Sequence, residues 1–436
     1  MGRGQFLYIS SIVMSFLCLS DVLSMTSVCK DLRELLYQYE DPIRPQRFRV
    51  LARYFYGRLY NLDLSGFRDK VHMSHLYKNC KILNLSGTRI SSVSYLDKVR
   101  ILDVSHTEVK DVSNLKNVRE LNINHTPISN FCYLPKLHTL KASHTKLVDT
   151  YGMHDIEYLY LNENQYLTDL SGLGSNKVVD LSMCLNITNV DSLKDVLDVD
   201  LSYCLMVEDV SKLTNVSFLN CSYTNVKSVK GLSNLQFLSA GGLRLNSVTC
   251  KNLFYLDLSN NQNLYTVKQF EGVENLTLNR CLNIVDWELP KSVSVLRVKA
   301  CTQIEDVDLI HFKDLYSLDL SETNITNIEH LVNIRFLRLT RCYLLFELKP
   351  LQNVYSLDIS HTGITELDGI ENVKAVDVSY TQVNDVFPLR NAEYVNLCGC
   401  VYVVDIRPLV NVEKIIISHA YPIYGSQTMN NIKYVL

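Results

Sequence analysis

Three histidines, His106, His125 and His144, stand 19 residues apart. Imidazoles at such a step, in a chain that returns on itself once per step, would stack at the strand separation of about 4.8 Å. Three of them are enough ligands for zinc. The same place along the pattern holds Gly, Tyr, Arg or Glu elsewhere, and His361 and His419 occupy it singly. A polar surface position that tolerates histidine is the simpler reading, and no metal is expected. Cys398 and Cys400 resemble a chelating pair, but the phase of the surrounding pattern points Cys398 outward and Cys400 inward. Asp103, Asp180, Asp200, Asp257, Asp319, Asp358 and Asp377 could supply a catalytic carboxylate pair. Their recurrence at one position argues for a structural Asp/Ser surface. No phosphate-cradling glycine loop, nucleophile elbow or metalloprotease helix is present. The sequence therefore predicts no enzyme and no cofactor.

What positions these residues is a repeat. Leu102 to Val118 reads LDVSHTEVKDVSNLKNV, and Leu357 to Val373 reads LDISHTGITELDGIENV. The unit is L-x-L-S-x-T-x-I-x-x-V-x-x-L-x-x-V. Its first leucine, taken below as position 0, falls at Leu62, Leu83, Leu102, Leu121, Leu140, Leu159, Val179, Val199, Leu219, Leu238, Leu256, Leu276, Leu296, Leu318, Leu337, Leu357, Val376, Val395 and Ile415. These define coils 1 to 19, with steps of 18 to 22 residues. A fixed period of this size marks a solenoid, and the leucine spacing resembles that of leucine-rich repeats.

Within a coil, Leu102-Asp103-Val104-Ser105 alternates as a short strand does, with Leu102 and Val104 inward and Asp103 and Ser105 outward. Val109, Val112, Leu115 and Val118 then recur by threes. That spacing predicts 3₁₀ or extended turns rather than an α-helix. One coil cannot bury its apolar side alone, so the coils must stack.

Position +5 separates two kinds of coil. Threonine occupies it at Thr88, Thr107, Thr126, Thr145, Thr224, Thr323, Thr362 and Thr381, and the next apolar residue follows two positions later. Asparagine or cysteine occupies it at Asn164, Cys184, Cys204, Asn261, Cys281, Cys301, Cys342 and Cys400, and the next apolar residue follows three positions later. The buried residue is expected to bond the turn backbone, its type matched to turn length. Coil 10 breaks the rule with Gly241-Gly242-Leu243.

Two outward groupings depart from the Asp/Ser background. Phe218, Phe237 and Tyr255 precede position 0 in coils 9 to 11, with Tyr223 after the first strand; Tyr158, Tyr160 and Tyr203 lie earlier. Arg280, Arg297, Lys299, Arg338 and Arg341 follow in coils 12 to 15. Aromatics beside arginines are the stuff of interface hot spots. These residues are the expected target-binding surface, for an acidic or phosphorylated segment with an apolar anchor.

A net charge of -3 on 436 residues gives no basic bias toward nucleic acid, and no apolar run reaches the length of a membrane span. Thirteen cysteines, about half at position +5, read as small core residues and as the mark of a reducing compartment.

Residues 6 to 36 differ from the repeats. FLCLSDVLSMTSVCKDLREL resembles an F-box, through Ile12, Val13, Phe16, Leu17, Leu19, Asp21, Val22, Leu23, Val28, Cys29 and Lys30. It departs from that pattern at the Leu-Pro opening, where Phe6-Leu7 stands, and at Leu32, where tryptophan is usual. LSMCLNITNVDSL at 181 to 193 resembles the cysteine-containing repeats that often follow an F-box. In style the chain resembles divergent F-box and repeat proteins of large DNA viruses.

The resemblance implies an adaptor of a cullin-RING ubiquitin ligase, placed in the cytoplasm or nucleus of a cell (the host cell, for a viral protein). Ile12, Val13, Phe16, Leu17, Leu19, Asp21, Val22, Leu23 and Val28 would dock on the linker subunit, and the repeats would hold the target. The alternative is a secreted or surface binding protein, since Arg3 precedes an apolar run ending near Ser20, as in a cleaved signal.

The expected architecture is an α + α/β-type solenoid. A helical F-box-like module spans 1–40, and a basic linker and N-terminal cap, with Arg44, Arg47, Arg49 and Arg53, spans 41–58. A leucine-rich-repeat solenoid of about 19 coils spans 59–436, with a parallel concave sheet and a 3₁₀/extended convex side. Ile432 and Val435 restart the pattern, which leaves the last strand to be exposed or to pair with another chain.

Overall fold

A computed structural model describes residues 61–66, 80–245, 248, 253–348, 351, 353–418, 423–426 and 432–435. The F-box-like segment, the basic linker and His419 lie outside the described residues. The chain divides into two units, Met1–Val207 and Glu208–Leu436.

Unit 1 carries β1 (Asn61–Asp63), β2 (Ile82–Asn84), β3 (Ile101–Asp103), β4 (Glu120–Asn122), β5 (Thr139–Lys141), β6 (Tyr158–Tyr160), β7 (Val178–Asp180) and β8 (Asp198–Asp200). Unit 2 carries β9 (Phe218–Asn220), β10 (Phe237–Ser239), β11 (Tyr255–Asp257), β12 (Asn275–Thr277), β13 (Val295–Arg297) and β14 (Ser317–Asp319). It continues with β15 (Phe336–Arg338), β16 (Ser356–Asp358), β17 (Ala375–Asp377), β18 (Tyr394–Asn396), β19 (Lys414–Ser418) and β20 (Ile432–Val435). Within each unit every strand pairs in parallel with the next, position 0 against position 0: Leu102 faces Leu121 and Leu256 faces Leu276. Each of the nineteen position-0 residues lies in a strand. At the C-terminal end β20 pairs in parallel with β19.

Packing inside a coil follows the spacing by threes. Leu102, Val104, Val109, Val112, Leu115 and Val118 are all buried. Leu115 N–H donates to Val112 O at 3.0 Å and Val118 N–H to Leu115 O at 3.1 Å, so the far side runs in 3₁₀-type turns. Among the described residues these turns lengthen into short 3₁₀ helices at Asp191–Asp195, Asp306–Phe312, Phe387–Asn391 and Arg407–Leu409. The largest buried side chain, Trp287, meets Phe312 edge-on at 5.8 Å in unit 2.

One outward expectation needs correcting. Ser105 faces away from the core yet is buried, as are Ser202, Ser321 and Ser379. The hydroxyl folds back on the carboxylate two residues earlier: Ser105 Oγ and N–H both donate to Asp103 Oδ1, at 2.7 and 2.9 Å. The same turn recurs at Asp180/Ser182, Asp257/Ser259 and Asp377/Ser379. The recurrent aspartates thus close the strand-ending turn, a role local to the backbone.

Candidate functional site

The turn that the Asp/Ser pair closes delivers position +4 in the left-handed backbone region. Every described coil from 1 to 18 does this: φ is 55° at His106, 61° at Asn260, 57° at Arg280 and 58° at Arg341, with glycine at Gly66, Gly87, Gly242 and Gly399. The N–H at this position donates to the next coil, as from His106 to Asn124 O at 2.9 Å. Glycine, asparagine and histidine suit the left-handed region best, which accounts for the histidines. The sequence signal was the glycine recurring at the histidine position.

His106 and His125 stack at 4.2 Å, as do His125 and His144, and His144 Nε2 meets Glu163 at 2.8 Å. Rings stacked face to face do not converge on a point. Among the described residues no group of three or more His, Cys, Asp or Glu is placed to hold a metal ion. Desolvation, then the charges of His144 and His106, lower the pKa of His125.

Position +5 behaves as a backbone connector with three settings. Threonine hydroxyls bond their own coil: Thr107 Oγ1 to Val104 O at 2.6 Å, Thr362 Oγ1 to Ile359 O at 2.7 Å. Cysteine thiols reach the preceding coil: Cys184 to Leu161 O at 3.2 Å, Cys281 to Leu258 O at 3.1 Å, Cys400 to Val378 O at 3.0 Å. Asn164 does both, donating to Leu161 O and to Ala142 O at 2.7 Å each and accepting from Thr145 N–H and Oγ1. Burial pushes the Cys184, Cys204 and Cys281 thiols up to about 12, so these are inert core groups rather than nucleophiles. Cys398 is half-buried and Cys400 buried, each unpaired.

The expected target surface lies in unit 2. Phe218, Phe237 and Tyr255 are in register on β9, β10 and β11, with ring centroids 6.1 and 6.4 Å apart. Phe254, which sequence reasoning missed, adds a ring 5.7 Å from Phe237. Phe218 is 38% exposed and Phe254 45%, while Phe237 and Tyr255 are half-buried. Tyr223 is held in place by its neighbours. Its ring lies over Gly242, 2.5 Å from where a Cβ would stand, and its hydroxyl accepts from Asn260 Nδ2 at 2.9 Å. Gly242 of the irregular coil 10 makes room for that ring.

The cations divide. Arg338 on β15 lies between Asp319 at 3.7 Å and Asp358 at 3.4 Å, and Lys299 and Arg341 both meet Glu322, at 3.2 and 3.4 Å. Three of the five expected anion-readers are therefore engaged by carboxylates one coil away. Arg280 and Arg297 form no ion pair among the described residues. A second aromatic group, also missed, is Tyr316, Phe336 and Tyr355, at 5.3 and 6.1 Å, with Arg335 5.1 Å over Tyr355. It alternates between positions -2 and -1, so no single repeat position reveals it.

No protein-family model and no curated protein matches the sequence. Solved structures do. One is the mouse RP105/MD-1 complex, at 15% identity over 87% of this chain and 72% of that chain, with a TM-score of 0.53. Another is the TLR13–ssRNA13 complex, at 17% identity over 87% and 77%, TM-score 0.49. A third is an internalin of Listeria monocytogenes, at 19% identity over 72% and 85%, TM-score 0.41. The fold is a parallel-sheet solenoid with very little helix, like that of leucine-rich-repeat proteins.

Proposed function

We propose that this chain is a recognition protein without chemistry of its own, which holds a polypeptide against the outward strand face of unit 2. The observation that carries this reading is the in-register run Phe218, Phe237 and Tyr255, followed on the next coils by Arg280 and Arg297, whose guanidiniums form no ion pair among the described residues. Burying an exposed aromatic anchor is worth about 1.5–3 kcal/mol. A free guanidinium adds a bidentate carboxylate or phosphate contact. In the finer form of the proposal, residues 6–36 act as an F-box and deliver the bound target to a cullin-RING ubiquitin ligase. Its support is the resemblance at Phe16, Leu17, Asp21, Val22 and Leu23.

Two arms test the two levels. An array of acidic and phosphorylated peptides carrying one leucine or phenylalanine should retain the full chain, and Arg280→Glu with Arg297→Glu should weaken retention about tenfold or more. Undiminished retention, or peptide crosslinks on coils 1–5, sinks the surface assignment. A chain lacking residues 1–40 should lose the linker subunit in co-purification and keep the peptides. Equal recovery of the linker subunit with both chains removes the F-box role.

A further inference from the structure

Five cations from four consecutive coils of unit 1 line one groove of about 410 Å³: Lys81, Lys98, Arg100, Arg119 and Lys136, with Asn117 completing the lining. Backbone hydrogen bonds place them. Arg100 N–H donates to Lys81 O at 2.8 Å, and Arg119 N–H donates to Arg100 O at 2.6 Å. Lys81, Arg100 and Arg119 thus form a column at the strand separation of about 4.8 Å. Lys98, Asn117 and Lys136 form a second column two residues upstream. There Lys136 Nζ donates to Asn117 Oδ1, and Asn117 Nδ2 to Asp97 O, each at 2.7 Å.

Several other cations are neutralised by a carboxylate of the adjacent coil. Lys177 meets Glu157 at 2.5 Å, Lys268 meets Asp286 and Glu288, and Arg338 meets Asp319 and Asp358. None of the five groove cations has such a carboxylate among the described residues. The first carboxylate further along the column, Glu157, is taken by Lys177 and by His138 at 3.4 Å. Like charges in register oppose folding. The side chains are exposed or half-buried, so packing does not require them.

We propose that this groove binds a compact polyphosphate, meaning two or more linked phosphate groups on a small molecule. Arg100 and Arg119 present two forks, each able to grip one phosphate through paired N–H bonds, and the three lysines act as point charges around them. The volume lies in the usual range for small-ligand sites. Among the described residues the lining has no aromatic ring to stack a base and no apolar floor. The phosphates alone are therefore read, and inorganic tripolyphosphate is the probe that carries nothing else. This site is independent of the polypeptide-binding surface of unit 2.

Calorimetric titration of the full chain with tripolyphosphate at low ionic strength should give one site per chain and a Tm that rises with ligand. Arg100→Ala with Arg119→Ala should weaken binding about tenfold or more. Lys268→Ala, a paired cation of unit 2, should leave it unchanged. Without ligand the double variant should be no less stable than the parent, because repulsion is removed. Should that variant not fold, Lys98→Ala with Lys136→Ala carries the same expectation. Equal affinity in the parent and in the folded variant overturns the proposal, as does absence of binding by the parent. So does tighter binding of single-stranded RNA with affinity growing with length, the mark of a nucleic-acid track.

Discussion

Coils 3 to 5 and coils 12 and 13 solve one problem in opposite ways. In both, the side chain at position +5 donates to a carbonyl at position +2 inside the core. Coils 3 and 4 use Thr107 and Thr126, whose hydroxyls close their own turns at 2.6 and 2.7 Å. Coils 12 and 13 use Cys281 and Cys301, whose thiols reach back one coil, each at 3.1 Å. A hydroxyl is a strong donor and a thiol a weak one. The threonine coil is therefore locally self-sufficient, whereas the cysteine coil commits its side chain to cohesion with its neighbour. Asparagine combines both: Asn164 bonds its own coil and, through Ala142 O and Thr145, the coil before it.

The contrast is most easily broken at Asn164. Asn164→Leu removes two donated and two accepted bonds within a fully buried site. With an unsatisfied buried group costing about 1–3 kcal/mol, a loss of about 3–5 kcal/mol is expected in urea unfolding. A loss below about 1 kcal/mol would show that the connector is dispensable.

Exchanging the two short settings sharpens it further. Thr107→Cys should destabilise unit 1, and Cys281→Thr unit 2, by about 1–2 kcal/mol each, because each turn length presents the wrong carbonyl to the new donor. Thr107→Ser should restore most of the loss, since it keeps the hydroxyl. Equal stability of either exchange with the parent would show that turn length and residue type are not matched.

The smallest effect concerns the surface beside the threonine coils. His125 has its pKa lowered mainly by desolvation, then by its histidine neighbours. A base with a lowered folded pKa stays neutral longer in the fold than in the unfolded chain. Stability should therefore be full above the unfolded value of about 6.5 and fall slightly as pH drops through it. NMR titration should find His125 below that value. His125→Asn, which suits the left-handed backbone, should flatten the acid side of the Tm profile; an unchanged profile would remove the stack as its cause.

How much could be read beforehand depended on range. The column Leu102, Leu121, Leu140 and the 3₁₀ side were legible because position 0 and the spacing by threes repeat in every coil. The bond made by position +5 was legible as a type matched to a turn, though which coil accepted it was not. The left-handed turn at position +4 left a trace only in Gly66, Gly87, Gly242 and Gly399. Tyr223 read as a free aromatic because its partner Asn260 lies 37 residues away, beyond an intervening coil.

By itself the sequence determined the period, the inward columns and the alternation of threonine with cysteine or asparagine, since each is enforced within one coil by hydrophobic spacing and local hydrogen bonding. The tertiary structure alone decided which charges are free. Arg338 and Arg297 occupy the same repeat position, +1, yet Arg338 falls between two aspartates while Arg297 forms no ion pair among the described residues. Lys81, Arg100 and Arg119 likewise look like scattered surface cations until stacking sets them one above another. Ion pairing is a matter of a few ångströms between coils, and that distance is set by register, which no single repeat contains.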